Sequence, residues 1–149
     1  MNFGSSFGIS ASALTAQRLR MDVISSNVAN AETTRASVVD GKAVPYRRKL
    51  VVMEATESNK FSNILNSKLN GSSSEGVKVR SIIEDTSPLK PVYNPSHPDA
   101  DAEGYVYMPN VDITKEMVDM LSASRSYEAN VTMLNASKAM VSKALEIGR

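Results

Sequence analysis

Between Ile9 and Ala29 the chain carries neither glycine nor proline, and its apolar residues keep a helical rhythm. At about 100° per residue, Ile9, Ala13, Leu14, Ala16, Met21, Val23, Ile24 and Val28 fall on one broad arc, which predicts a helix over this stretch. The arc spans about half the circumference, wider than the stripe of an ordinary surface helix. Gln17, Arg20 and Asn27 also project into it. A helix so broadly apolar is expected to touch more than one neighbour.

The C-terminal pattern is longer. After Asp112 there is no proline, and no glycine until Gly148. Asp112 is the expected N-cap, its carboxylate accepting from the free amides of the first turn. Ile113, Met117, Met120, Ser124, Tyr127, Val131, Leu134, Lys138, Val141 and Leu145 follow a 4,3,4,3 spacing, the heptad rhythm of a coiled coil. A helix of this extent is about 50 Å long at about 1.5 Å per residue. A second stripe, Met133, Met140 and Ile147, recurs at sevens, with Ala136 and Ala144 on the same side. Two apolar seams exceed what one partner helix buries, and the chain supplies only one other long helix. Further partner helices are expected from other subunits.

The zone between the helices is polar and turn-rich. Tyr46 to Ala55 and Val77 to Ile83 read as strands, as does Gly104 to Met108. Residues 61–69 read as a short helix, and Asn70 to Ser74 as a flexible loop. Pro88, Pro91, Pro95 and Pro98 demote their stretch to extended chain or an edge strand. The expected fold class is therefore mainly α with a small β region. Its N- and C-terminal helices pair as a coiled coil, and its middle is irregular and β-rich. The division is 1–31 for the N-terminal coiled-coil helix, 32–110 for the middle and 111–149 for the long C-terminal helix.

Composition narrows the chemistry. The 149 residues carry 17 Lys and Arg against 16 Asp and Glu, so the chain lacks the positive field of a nucleic-acid binder. Cysteine is absent, which excludes disulfides, thiol catalysis and thiolate zinc sites. Aromatics make up 5% against 42% hydrophobic residues, so the apolar content is aliphatic and methionine-rich, as suits helix seams. No apolar run approaches a membrane span, and no charged start followed by an apolar block marks a secretory signal.

Candidate sites are few. His97 sits in a proline-rich turn, where a solvated histidine is the expectation over a catalytic base. Asp99, Asp101, Glu103 and Gly104 mimic the first half of a calcium loop, but Asn110 stands where a bidentate carboxylate is needed. Arg47, Arg48 and Lys49 form a basic patch able to touch phosphates, although the apolar run after them favours the charged end of a strand. Sequons at Asn70, Asn130 and Asn135 are expected to stay unmodified. No phosphate loop, nucleophile elbow or paired-carboxylate constellation is present, so neither catalysis nor a cofactor is expected.

Two terminal motifs carry a family resemblance. Ser12 to Arg18, followed by Met21-Asp-Val-Ile-Ser-Ser-Asn27-Val-Ala-Asn30-Ala31, resembles the N-terminal motif of bacterial flagellar axial proteins (rod, hook and hook-associated). Pro109 to Ile113, Glu116 to Met120 and Ser122 to Val131 resemble that family's C-terminal helix. In the middle, Pro45 to Arg47, Gly76 to Val79 and Asp101 to Val106 are similar to its proximal rod branch. Thr33-Thr34-Arg35-Ala36 stands where many members have Thr-x-Gly-Phe, a departure that argues against hook or distal-rod identity.

The resemblance implies a structural subunit of the flagellar basal-body rod. It implies helical assembly through the terminal helices to transmit torque from motor to hook. Expected partners are other rod proteins, further copies of the chain and the flagellar export apparatus, with no nucleic acid, membrane insertion or small-molecule substrate. The expected location is the basal body in the cell envelope, reached by type III export without a cleaved signal peptide. The expected assembly interface comprises Leu14, Met21, Ile24, Asn27, Val28 and Asn30 on the first helix, with Met117, Met120, Tyr127, Val131, Met133, Leu134 and Met140 on the second. A polar residue in an apolar seam fixes register, the role expected of Asn27; Asn30 has helix-end capping as its plainer reading. The alternatives are a soluble coiled-coil adaptor forming a discrete oligomer and a small hydrolase using His97.

Overall fold

A computed structural model describes residues 3–39, 42–56, 65 and 76–147. Its elements in chain order are α1 (Phe3–Ala29), β1 (Ser37–Val39), β2 (Lys42–Val44), β3 (Lys49–Ala55), β4 (Val77–Glu84), β5 (Lys90–Tyr93), β6 (Tyr105–Met108) and α2 (Ile113–Ile147). There are thus two long helices, one towards each end of the sequence, and a middle of short strands. The short helix expected over 61–69 and the loop over 70–74 lie outside the described residues, Leu65 apart.

The helix ends follow their sequence signals, with one exception. Asp112 caps α2: its Oδ1 accepts from the amides of Thr114 (3.0 Å) and Lys115 (3.3 Å), and its carbonyl from Glu116 N (2.9 Å). Asn30 closes α1, its Nδ2 donating to the Ser26 carbonyl (2.9 Å) and its own carbonyl accepting from Thr33 N (3.1 Å). The exception is the start of α1, six residues ahead of the periodic pattern. A Cβ at Gly8 would meet nothing within 4 Å. Helix propagation carries a glycine at a cost of about 1 kcal/mol, so the apolar period understates the helix.

Among the described residues the middle holds three two-stranded sheets. The β1–β2 hairpin pairs Ser37 with Val44 and Val38 with Ala43, antiparallel, and was not expected from the strand pattern. Its signal is present in the sequence all the same: Asp40-Gly41 between short apolar pairs is a strong two-residue turn marker. In β3–β4, Asp85 N donates to Arg48 O beyond one end (2.8 Å) and Thr56 N to Gly76 O beyond the other (2.8 Å), so these strands also run antiparallel. The proline-rich stretch contributes a true strand, with Pro91 opposite Tyr107 and Tyr93 opposite Tyr105. Proline is tolerated because a two-stranded sheet is all edge.

The described chain divides into two compact units, one comprising Met1–Arg20, Val52–Ser81 and Ala123–Arg149, the other Met21–Val51 and Ile82–Ser122. In the first, the buried residues are small: Ala16, Ala123 and Ser137. Ser12 on α1 donates to Ile9 O (2.7 Å) and accepts from Val77 N (3.1 Å), fixing the start of β4 against the helix. A Cβ on Gly76 would lie 2.7 Å from the Ser12 Oγ, so that approach requires glycine. In the second unit, Val23, Ile24, Tyr46, Val106 and Val111 are buried around a polar centre.

The buried line of α2 differs from the apolar heptad. Glu116, Ala123 and Ser137 are the buried residues, spaced in sevens, with Asn130 half-buried on the same line. Met120, Tyr127, Leu134 and Val141 flank this line and are half-buried, whereas Met117, Met133, Met140 and Leu145 are more than half exposed. Small and polar residues thus take the innermost positions within the chain, and the bulky stripe stays outside.

Candidate assembly surface and the polar centre beneath it

The second unit is organised around Asn27, the last-turn residue of α1, which is 1% exposed. Its Oδ1 accepts from Lys49 N (2.9 Å) and its Nδ2 donates to Lys49 O (2.9 Å). The carboxamide thereby pairs with one residue of β3 as a neighbouring strand would. Its remaining valences are also used: Tyr46 Oη donates to Oδ1 (3.0 Å), and Nδ2 donates to Glu116 Oε2 (3.0 Å). Every hydrogen-bonding site of the amide is taken, as burial demands. This anchors β3 to α1 and α2 at once.

Glu116 is also 1% exposed, in the first turn of α2. Arg48 neutralises it, its Nε donating to Glu116 Oε1 (2.6 Å). The same guanidinium lies 3.5 Å from Asp119 and 3.7 Å from Asp85. The Arg48 backbone is fixed as well, its amide donating to Asn110 Oδ1 (2.9 Å). Asn110 Nδ2 reaches the carbonyls of Asp85 and Ser87 (3.3 Å each). The Asp85 carboxyl sits below its ordinary value, chiefly because the Ser87 hydroxyl and amide donate to it and secondarily because of Arg48.

Arg48 therefore corrects the sequence reading. The basic patch at 47–49 is not a simple charged strand end, nor does it offer three cations to a phosphate. Arg48 is enclosed by three carboxylates and is 14% exposed. Nothing local announced this, since Glu116 lies 68 residues away. The available signal was Glu116 itself, a carboxylate in the first turn of α2, seven residues before Ala123.

The other candidate residues are held by contacts within the chain. His97 Nδ1 accepts from Asp99 N (3.1 Å), a turn contact. The Asp99 carboxylate is held by Arg35 and by Thr34 Oγ1 (3.0 Å), so the first ligand of the calcium-like loop is occupied by a cation of the chain itself. Gly104, at φ +82°, turns the chain into β6. Among the described residues no group of three or more His, Asp or Glu is placed to hold a metal ion.

Of the residues expected at the interface, Asn27 and Ile24 are buried, and Leu14, Met21, Val28 and Asn30 half-buried. On α2, Met120, Tyr127, Val131 and Leu134 are half-buried, while Met117 (56%), Met133 (61%) and Met140 (51%) are exposed. In the second unit Ser25, Val28 and Ala29 face Met117, Met120 and Leu121 across an open groove of about 530 Å³ with an almost wholly apolar lining. Val118 and Leu121, absent from the expected set, are exposed at 61% and 60%. Exposed apolar side chains in this concentration make this face the candidate interaction surface of the chain. Among the described residues no helix is long and apolar enough to cross a membrane.

Comparison with known proteins gives the surface its context. Residues 7–36 match the family described as flagella basal body rod protein, and residues 102–147 match the C-terminal family of the flagellar basal body rod FlgEFG proteins. The chain is 60% identical over 146 residues to the flagellar basal-body rod protein FlgC of Bacillus subtilis, covering 97% of each chain. It is 46% identical over 153 residues to that of Borreliella burgdorferi, covering 99% of this chain and 98% of the relative. For the protein of Escherichia coli O6:H1 the identity is 46% over 143 residues, covering 96% of each. Likeness of this extent, across both helices and the strands between them, shows that the chain belongs to the FlgC family of flagellar basal-body rod proteins.

Proposed function

We propose that the chain is a structural subunit of the flagellar basal-body rod that assembles helically through its terminal helices and transmits torque from motor to hook. The carrying observation is the exposed apolar surface on α2 at two places, Met117 and Leu121 near its start and Met133 and Met140 in its second half, each at least half exposed. Burying such side chains contributes about 25 cal/mol per Å² of apolar surface removed from water, a gain that only association collects here. The terminal helices pair as a coiled coil in the assembled subunit. Neighbouring subunits cover the expected interface residues, from Leu14 and Met21 on α1 to Leu134 and Met140 on α2. The β-rich middle, residues 32–110, lies on the outside of the helical assembly. Partners are other rod proteins and further copies of the chain. Its contacts are heterologous and need not close, which suits a filament. The subunit travels through the flagellar type III export apparatus without a cleaved signal peptide, a route compatible with a cysteine-free chain.

Met117→Asp tests this reading. Met117 is exposed in the single chain, so the variant is expected to fold, with an unchanged circular dichroism spectrum. A carboxylate sealed into an interface without a partner is strongly unfavourable. The expected outcome is loss of the variant from isolated basal bodies and loss of motility. Normal incorporation and swimming would overturn the assignment of this surface.

A further inference from the structure

The groove at the start of α2 has a complement on the far half of the same helix. Its floor on α1 is small, with Ser25 and Ala29 four residues apart, and Met117 and Leu121 wall it on α2. Asp22, exposed one turn before Ser25 on α1, carries a negative charge just beyond the groove's lining residues. The complementary ridge is Met133 and Met140, with Ala136 between them and Lys143 one turn further on. Both methionines are more than half exposed. Small residues at four-residue spacing form the groove into which a partner helix lays its ridge. Methionine, unbranched and flexible, suits a groove of irregular shape.

We infer that the ridge around Met133 and Met140 of a second copy of this chain occupies the groove between Ser25–Ala29 and Met117–Leu121. This rests on the assembly reading above and names the contact it uses. Charge selects the occupant: Lys143 of the incoming helix meets Asp22. Lys143 does so by exchanging its exposed partner Glu146 (2.7 Å), a pair of little energetic weight in solvent. Groove and ridge lie on one unbroken helix, so a chain does not seat its own Met140 beside its own Met117. Groove and ridge are different patches, so where two copies do not exchange them reciprocally the contact is heterologous and passes from copy to copy as an open assembly.

The chain contains no cysteine, which makes the test clean. A variant carrying Ala29→Cys and Met140→Cys is expressed in cells, and basal bodies are isolated, oxidised and resolved without reductant. The expected result is a ladder of disulfide-linked multiples of the 16.1 kDa chain, reversed by reductant. Each single-cysteine variant gives no ladder, and Glu103→Cys with Met140→Cys gives none. Heterotypic adducts without self-linked species, or dimers formed by either single cysteine alone, would overturn the inference. Ser25→Cys with Lys143→Cys repeats the experiment at adjacent positions should the first pair disturb folding. The two claims separate by location: the reduced double variant must be present in basal bodies for the assembly reading to stand. Present without a ladder, it removes this contact alone.

Discussion

The carboxamide of Asn27 meets the backbone of Lys49 as a strand would, with Lys49 N donating to Oδ1 and Nδ2 donating to Lys49 O, both at 2.9 Å. A helix side chain thus supplies the first rung beside β3. Asn27→Ala leaves the Lys49 backbone, the Tyr46 hydroxyl and one Glu116 oxygen short of partners. Each unsatisfied buried group costs about 1–3 kcal/mol. A net loss of about 3 kcal/mol corresponds to a melting temperature lower by about 6–12 °C for a chain of this size. Thermal unfolding followed by circular dichroism measures it. A shift below a degree would show that the amide is dispensable.

The pair between Arg48 and Glu116 calls for a cycle rather than a single change. Arg48→Met leaves Glu116 buried without its cation, and Glu116→Leu leaves Arg48 facing Asp85 and Asp119 alone. Breaking one side of a buried pair costs about 3–5 kcal/mol, while replacing both partners by apolar groups is often close to neutral. The double variant is therefore expected to be more stable than the Arg48→Met single variant. Urea denaturation of all four proteins gives the coupling. Additive losses would mean that the two side chains act independently.

What the sequence made legible here was local, and what it hid was long-range. Asp112 announced the start of α2 through a cap that involves only its next few residues. Asn30 marked the end of α1 for the same reason. The proline-rich stretch was recognisable as extended chain because proline fixes its own backbone. By contrast, the hub at Arg48 depends on residues 21 before it and 68 after it, and no periodicity encodes such a meeting. The apolar heptad misled in a specific way. It identifies residues that are to be buried, not which burial comes first. Within the chain the innermost line of α2 is Glu116, Ala123 and Ser137, while Met117, Met133 and Met140 stay exposed.

Gly104 sits at φ +82°, a conformation that costs an L side chain about 1–2 kcal/mol. A Cβ there would also lie 3.0 Å from the Tyr93 ring and 3.3 Å from Pro95. That ring packs edge-on against Tyr105, with centroids 5.4 Å apart. Gly104→Ala is expected to destabilise the β5–β6 pair by about 1–2 kcal/mol and to perturb the aromatic resonances of Tyr93 and Tyr105 first. Unchanged tyrosine chemical shifts would contradict this packing.

Three carboxyls share one direction of shift, and their sign fixes the acid limb. Arg35 is the main cause that holds Asp99 below the usual 3.8, with Thr34 assisting against the opposing effect of burial. Ser87 chiefly depresses Asp85, and Lys78, 2.9 Å away, chiefly depresses Glu54 below 4.5. A depressed carboxyl binds its proton more weakly in the folded chain than in the unfolded one. Its contribution is fully present above the ordinary value and is lost as pH falls through the folded value. The urea midpoint is thus expected to vary little with these groups above about pH 5 and to fall as the pH drops below about 4. Asp99→Asn removes one of the three. It is expected to lower stability at pH 7 and to flatten the acid limb. An Asp99→Asn limb as steep as that of the parent would show that the contact with Arg35 contributes nothing to the pH dependence.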